Sequence, residues 1–313
     1  MLHTIFNRNR AAKREILHNS HAIIDFLSNS LGERTLRKYE NLAAASTYIA
    51  NRFAQFGHIP IEEGYRVDDK RVHNIIADIP GKDPSRGLVL IGAHYDTISD
   101  TPGADDNASG IAGLLEVYRL LSAGSYARTI RFIAFTLEEP PHFSGDTMGS
   151  MVSAKNSRDR GDRIDLMICL EMLGFGGKHV EQHVPFRDMA RKTPKRGDFL
   201  AVVSLPSSSA YTFLWKKLYN GRARREIIDM VGPSSIPGIS HSDHYSYVKQ
   251  GYPAIMLTDT AFYRNMNYHT ELDTMKTINF QFLTENIWNI HLTLASLANL
   301  ETLVSASDSG LNR

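Results

Sequence analysis

The chain has 313 residues, of which 42% are apolar and 22% are charged, values typical of a globular protein. Its 35 basic and 34 acidic side chains leave a net charge of +1, which argues against a nucleic-acid partner. No apolar run approaches the roughly 20 residues that span a bilayer, so we expect no membrane partner either. The single cysteine, Cys169, excludes an intramolecular disulfide.

The amino terminus contains no apolar core of signal-peptide length. We therefore expect a cytoplasmic protein as the chain is given, or a secreted or periplasmic one if a leader was removed. The oligomeric state is not predicted.

In chain order, residues 1–35 read as a helical lead-in and residues 36–313 as a single domain. Apolar residues at helical spacing predict a further helix that ends at Gly57. Strand-like apolar runs follow at 73–79, 87–93, 129–136, 165–172, 199–204 and 253–259, and helices are predicted over 111–121, 211–220 and 280–300. This alternation predicts an α/β fold, a three-layer α/β/α sandwich around a mixed, largely parallel sheet.

The most informative stretch is residues 91–110, IGAHYDTISDTPGADDNASG. It places His94, Asp96 and the acidic pair Asp105 and Asp106 in glycine-rich turns after an apolar run. An imidazole beside carboxylates is a ligand set that zinc accepts. Each residue taken alone also has a simpler reading, as a surface histidine or as a turn followed by a helix cap.

Further polar groups follow the later strand-like runs. Glu138 and Glu139 come after the run 129–136, Glu171 ends the next run, and His269 lies in a loop after the last one. Ligands of open α/β sheets bind beyond the carboxyl ends of the strands, so we expect these groups to converge at one edge. A carboxylate inside an apolar strand is costly unless it is paired or bound to a metal. The set is large enough for two metals and a spare carboxylate base, which predicts a two-metal hydrolase.

Six ordered segments of the chain resemble the co-catalytic zinc aminopeptidases of metallopeptidase family 28. They are AHYDT, PGADDNASG, TLEEP, CLEMLG, SDHYSYVKQGYPAIM and YHTELDT, and the similarity runs from about residue 36 to the carboxyl end. The family has a mixed sheet between helices, in agreement with the fold predicted above. The resemblance implies a zinc-dependent aminopeptidase whose catalytic domain covers residues 36–313. Its partners would be peptides with a free amino terminus, and its cofactors two Zn²⁺ per chain or other divalent metals.

The resemblance also implies the metal ligands. They are His94 and Glu171 for one zinc, Glu139 and His269 for the other, and Asp105 as the bridge between the two. Asp106 is expected to follow Asp105 through a cis peptide bond. Many relatives carry aspartate where this chain has Glu171, and the longer side chain is expected to shift the metal or the strand slightly.

The remaining site residues are assigned by the same resemblance. Glu138 is expected to be the general base and Tyr268 to stabilise the oxyanion. Asp96 is expected to orient the histidine two residues before it. Asp273 is expected to orient the histidine four residues before it.

The segment Ser242-Asp243-His244 suggests a serine hydrolase triad, but adjacent residues point in different directions and the chain has no G-x-S-x-G elbow. We interpret this segment as a helix start, with Ser242 as the cap and Asp243 facing the pocket wall.

Three other functions remain open on this scaffold. A glutaminyl-peptide cyclotransferase would use one zinc, whereas the Glu138–Glu139 pair together with His94 and Asp105 favours a two-metal peptidase. A carboxypeptidase or dipeptidase would need a basic group such as Arg264 for the substrate carboxylate. A non-catalytic binding module generally lacks ligands or the base, and this chain has all of them. The long connection 174–196 is predicted to form a lid or a subunit contact.

Overall fold

The computed structural model describes residues 2–57, 59–221, 223 and 225–304. Seven helices are found in these ranges: α1 Leu2–Ile24, α2 Tyr39–Ala54, α3 Gly110–Leu121, α4 Gly149–Arg160, α5 Ser209–Asn220, α6 His244–Lys249 and α7 Phe280–Leu297. A wider helical turn continues α1 over Asp25–Leu31, and a kinked turn with non-helical backbone angles at Asp106 and Asn107 precedes α3 over Ala104–Ser109. None of the helices that the structure describes is long and apolar enough to cross a membrane.

Eight strands form one mixed sheet in the order β1-β2-β4-β3-β5-β8-β6-β7. Their bounds are β1 Ile61–Val67, β2 Lys70–Ile79, β3 Leu88–His94, β4 Ile130–Phe135, β5 Ile164–Glu171, β6 Leu200–Ser204, β7 Ile227–Val231 and β8 Ala254–Thr258. The four central strands, β4, β3, β5 and β8, are parallel to one another. Antiparallel pairs join β1 to β2, β2 to β4, and β6 to β8. The prediction of a mixed, largely parallel sheet is therefore confirmed.

Each of the six predicted runs forms a strand, but two strands were not predicted. The missed strands β1 and β7 lie at the two edges of the sheet. β1 carries polar residues and is mostly exposed, and β7 is short and only partly buried. Neither forms the continuous apolar run that marks a strand buried on both faces.

Helices cover both faces of the sheet. Alternate residues of the central strands pack in two hydrophobic cores, one on each face. Leu166 and Ile168 of β5 pack in the core with α1, α2, α3, α5 and α7. Met167 and Cys169 pack on the opposite face in the core that contains Ala154 of α4 and Tyr247 of α6. The three-layer α/β/α sandwich is confirmed, and Cys169 is a buried free thiol.

The helical lead-in packs into the larger core. Ile16 and Ile23 of α1 and Leu27 of the turn after it are fully buried there. They share this core with Ile287 and Ile290 of α7. The lead-in thus lies against the last helix of the chain and close to the sheet.

The central strands provide a test of the packing. Phe132 of β4 is fully buried, and its ring meets that of Tyr118 edge to face at 5.0 Å between centroids. We expect Phe132→Ala to lower the free energy of unfolding by about 3–5 kcal/mol, because it removes buried surface and leaves a cavity. Urea unfolding at an unchanged m-value measures this loss. Phe213→Ala on α5 is the control, since that ring is 54% exposed and should change stability by less than about 0.5 kcal/mol. Equal losses in both variants would contradict the assignment of Phe132 to the core.

Candidate metal centre

The parallel direction of the central strands brings the predicted polar residues to one edge of the sheet. His94 is the last residue of β3, and Glu171 is the last residue of β5. Glu138 and Glu139 follow the end of β4, and His269 follows β8 at a positive φ of 59°. All except His269 are almost completely buried, so the side chains meet in a pocket with restricted solvent access.

Two groups of imidazole and carboxylate share one aspartate, Asp106. His94 Nε2 lies 3.4 Å from Asp106 Oδ1 and 3.4 Å from Glu171 Oε2. His269 Nε2 lies 3.2 Å from Asp106 Oδ2 and 3.3 Å from Glu139 Oε1. Each oxygen of Asp106 therefore faces a different histidine, and each histidine has a carboxylate of its own.

The prediction that Asp105 bridges the two groups is wrong. The Asp105 side chain is fully buried and points away from the two histidines, and both of its oxygens accept hydrogen bonds. Oδ1 accepts the Gly174 N–H at 2.9 Å, and Oδ2 accepts the Asn265 amide at 3.1 Å. Asp106 instead lies between the two histidines. The predicted cis peptide bond is displaced by one residue as well, since it joins Asp106 to Asn107.

Asp96 lies beside His94 as predicted and also supports the next loop. Its Oδ1 is 3.5 Å from His94 Nδ1, at the outer limit of hydrogen bonding. Its two oxygens accept the backbone N–H groups of Glu138 and Glu139, each at 3.0 Å. One carboxylate thus fixes the backbone of the two acidic residues and lies next to the imidazole that they face.

Asp273 has a different role from the predicted one. Instead of meeting His269, its carboxylate accepts the backbone N–H groups of Asp105 and Asp106 at 3.0–3.2 Å. Burial and the nearby Asp105 raise the pKa of Asp273 to about 8. Asp273 therefore positions the backbone of the bridging residue.

Tyr268 lies at the open side of the site. Its ring stacks on that of His269, with 3.7 Å between centroids and 18° between planes. Burial and the carboxylates around it raise the pKa of the Tyr268 phenol, so the hydroxyl keeps its proton at neutral pH.

Asp243 lies beneath the site and is fully buried. Burial raises its pKa to about 7, with a further contribution from Glu171. Asp243 is the residue before α6, and Ser242 does not cap that helix through its side chain. The Ser242 hydroxyl instead donates a 2.6 Å hydrogen bond to Glu171 Oε2.

The charges of the site favour a bound cation. Burial lowers the pKa of His269, but Asp106 and Glu139 raise it more, to about 10. Burial and the charge of Asp106 raise the pKa of Glu139 to about 8. Buried carboxylates that face one another around two imidazoles are stabilised when cations bind between them. Among the described residues, His94, Asp106 and Glu139 have ligand atoms close enough together to hold one metal ion.

Three polar side chains outside the predicted ligand set hold residues of the site in place. Asn107 donates its side-chain amide to the Leu170 carbonyl, and its Oδ1 accepts the Met172 N–H. Ser242 and Asn265 hold Glu171 and Asp105, respectively. The position of Asn107 directly after an acidic pair was the only feature of the sequence that pointed to it. The partners of Ser242 and Asn265 are distant in the chain.

An apolar pocket opens beside the metal centre and shares Glu171 and Tyr268 with it. Its apolar lining includes Met189, Val203, Met230, Ile236, Ile239 and Met256. The long connection 174–196 contributes Met189 and Gln182 to this lining, and the Gln182 amide bonds to Thr260 Oγ1 at 2.9 Å. The connection thus forms one wall of the pocket.

The sequence profile of peptidase family M28 matches residues 74–294, more than half of the chain. The chain belongs to peptidase family M28. It is 37% identical over 272 residues to the uncharacterized protein YfbL of Escherichia coli strain K12, covering 84% of this chain and 82% of YfbL. It is 28% identical over 228 residues to leucine aminopeptidase 1 of Fusarium vanettenii, covering 68% of this chain and 52% of that protein. This M28 chain therefore spans about half the length of that aminopeptidase.

Solved structures share the fold of this M28 peptidase. The zinc aminopeptidase BSAP of Bacillus subtilis superposes with a TM-score of 0.72 at 15% identity, over 93% of this chain and 97% of BSAP. The glutaminyl cyclase of Tannerella forsythia superposes with a TM-score of 0.64 at 18% identity, over 91% of this chain and 99% of the cyclase. At these identities the similarity establishes the fold and leaves the reaction to the residues of the site.

The corrected bridging residue can be tested on its own. We expect Asp106→Asn to retain much less zinc than the wild type after loading and desalting, because one oxygen that faces a histidine is lost. Asp105→Asn is the matched control and should keep its zinc, at a cost in stability of about 1–3 kcal/mol from the disturbed hydrogen bonds. Metal content by elemental analysis, together with urea unfolding, separates the two effects. Loss of zinc from Asp105→Asn alone would restore the original assignment.

Proposed function

We propose that this M28 peptidase is a two-zinc aminopeptidase that removes residues from the amino terminus of peptides. The observation that carries the proposal is the double cluster, in which each oxygen of Asp106 faces one histidine. His94 and Glu171 would hold one zinc, His269 and Glu139 the other, and Asp106 would contact both. Zinc ions bound there would supply Lewis acidity, the property that polarises a scissile carbonyl and lowers the pKa of water.

Glu138 is the proposed general base. Its Oε2 lies 4.0 Å from His94 Nε2, so it borders the cluster without being central to it. Burial raises the pKa of Glu138, and the neighbouring Glu139 and Glu171 add to this effect, although His94 opposes it. In the site without bound cations, Glu138 therefore accepts a proton more readily than an exposed glutamate does. This suits a group that takes a proton from the attacking water and returns it to the leaving amine.

Tyr268 is the proposed donor to the oxyanion. Its phenol stays protonated at neutral pH, and its ring is held against His269 at the open side of the site. A protonated donor that is already ordered can stabilise the charge that develops on the carbonyl oxygen without further reorganisation.

The charge of the site supports selection of a free amino terminus over a free carboxyl terminus. Acidic side chains dominate the centre and attract a substrate ammonium group. Arg264, considered above as a carboxylate binder, is almost completely buried and donates to the Phe199 carbonyl and to Gln182. The Nε and Nη1 groups of this arginine are thus already engaged inside the protein.

Replacing the base tests the mechanism. We expect Glu138→Gln to keep its zinc and to lose about 10²–10⁴-fold in kcat, because the amide cannot accept the proton. The measurement is the hydrolysis of one short peptide with a free or an acetylated amino terminus, alongside elemental analysis of zinc. Only the free peptide should be cleaved by the wild type. Turnover near the wild-type rate in the zinc-loaded variant would show that another group is the base.

The same assay separates the other reactions of this scaffold. Cleavage of the acetylated peptide would indicate a carboxypeptidase or an endopeptidase. A peptide that begins with glutamine should lose that residue, whereas release of ammonia with the peptide bonds intact would indicate a cyclase.

The apolar cavity beside the centre supports a preference for large apolar residues at the amino terminus of the substrate. Burying a leucine side chain yields about 1.5–3 kcal/mol, so kcat/KM for a leucyl substrate should exceed that for the glycyl analogue by roughly 10- to 100-fold. Met230→Glu should reduce this ratio, since it places a carboxylate in the lining. Phe213→Glu on the exposed face of α5 is the control and should leave the ratio unchanged. An unchanged ratio in Met230→Glu would place the side-chain pocket elsewhere.

A further inference from the structure

Arg34, near the end of the helical lead-in, is a charged side chain of the interior, with an exposure of 0%. Its guanidinium donates hydrogen bonds to five backbone carbonyl oxygens at 2.7–3.1 Å: those of Tyr95, Leu27, Gly32, Pro102 and Gly103. Burial lowers the pKa of Arg34 to about 10, so the group remains charged at neutral pH. An arginine fork can satisfy several carbonyls at fixed angles, which a lysine ammonium cannot do.

Three of these carbonyls belong to the loop that joins the two halves of the metal centre. Tyr95 directly follows His94, and Pro102 and Gly103 shortly precede Asp106. Arg34 Nε binds the first end of the loop, while Nη1 and Nη2 bind the second end. The backbone of Arg34 also pairs with Thr97 inside the loop, because Thr97 N–H donates to the Arg34 carbonyl at 3.1 Å and Arg34 N–H donates to Thr97 Oγ1 at 3.0 Å.

The second end of the loop has little room to adjust. Gly103 has a φ of +57°, and a Cβ there would lie 2.4 Å from the Asp106 carbonyl oxygen and 3.0 Å from Arg34 Nη2. The backbone therefore passes closely between the arginine and the bridging aspartate. A displacement of the guanidinium would be transmitted to Asp106.

We infer that Arg34 is a positioning residue that fixes His94 relative to Asp106, so that the helical lead-in completes the metal centre. This inference rests on the proposed function, because it concerns the same metal ligands. Arg34 acts through the backbone of residues 95–103 and does not itself touch the metals or the substrate.

Arg34→Lys tests the inference against a matched control, Arg128→Lys. Arg128 is similarly buried, with an exposure of 3%. It donates hydrogen bonds to the Leu300 and Glu301 carbonyls and to the Asp165 carboxylate, none of which is a proposed metal ligand. Zinc affinity is measured by competition with a chelator. Hydrogen exchange of the amides in residues 95–103 is measured in the metal-free protein.

In Arg34→Lys we expect zinc affinity to fall about 10- to 100-fold, as for groups that orient metal ligands. We also expect faster exchange in residues 95–103. Arg128→Lys should lose stability while both readouts stay at the wild-type values. Zinc affinity and loop exchange that are unchanged in Arg34→Lys would overturn the inference.

Thr97→Val keeps the test decisive if Arg34→Lys does not fold. It removes only the hydroxyl that accepts the Arg34 N–H, and we expect a loss of zinc affinity of roughly three- to tenfold. Wild-type affinity in this variant would overturn the inference while leaving the proposed function intact. A wild-type chain that binds no zinc would instead overturn the proposed function and this inference together.

Discussion

The site depends on the way Asp106 is held, because its backbone, and not its carboxylate, carries the supporting contacts. The Asp273 carboxylate accepts the Asp106 N–H, and the side chain of the next residue, Asn107, bonds to the backbone at the carboxyl end of β5. These contacts leave both oxygens of Asp106 free to face His94 and His269. If these oxygens accepted hydrogen bonds from their own turn, they could not both face an imidazole.

Buried negative charge is the cost of this arrangement, and the same charge produces the properties that the proposed chemistry uses. Unpaired buried carboxylates are unfavourable, so the pKa of Glu138 and that of Glu139 are raised and the imidazoles between them are more basic than usual. A bound cation relieves this charge, whereas an apolar replacement would remove the ligands. The fold tolerates the cluster because Asp96 and Asp273 are satisfied by backbone N–H groups.

Sequence reasoning succeeded where a local pattern carries the information. Continuous apolar runs marked the buried strands, and the common direction of parallel strands explains why His94, Glu139 and Glu171 meet at one edge. It failed for Asp105 and Asp106, because adjacent aspartates in one turn have the same composition and spacing, and only the direction of the backbone decides which faces the histidines. The edge strands β1 and β7 were not predicted, because they are partly exposed and lack a continuous apolar run. The contacts of Arg34 lie up to 69 residues away in sequence and have no local signature.

The structure separates the groups proposed for the chemistry from those that line the apolar pocket. The metal centre is held at the ends of the central strands, and the helical lead-in supports it through the loop after β3. The pocket is instead lined by β6, β7 and the connection 174–196, which lie on the other side of β8. Only Glu171 and Tyr268 of the proposed site residues border both regions. Under the proposed function, changes in the connection would alter which side chain fits while leaving the ligand geometry intact, whereas changes near Arg34 would act on the ligands first.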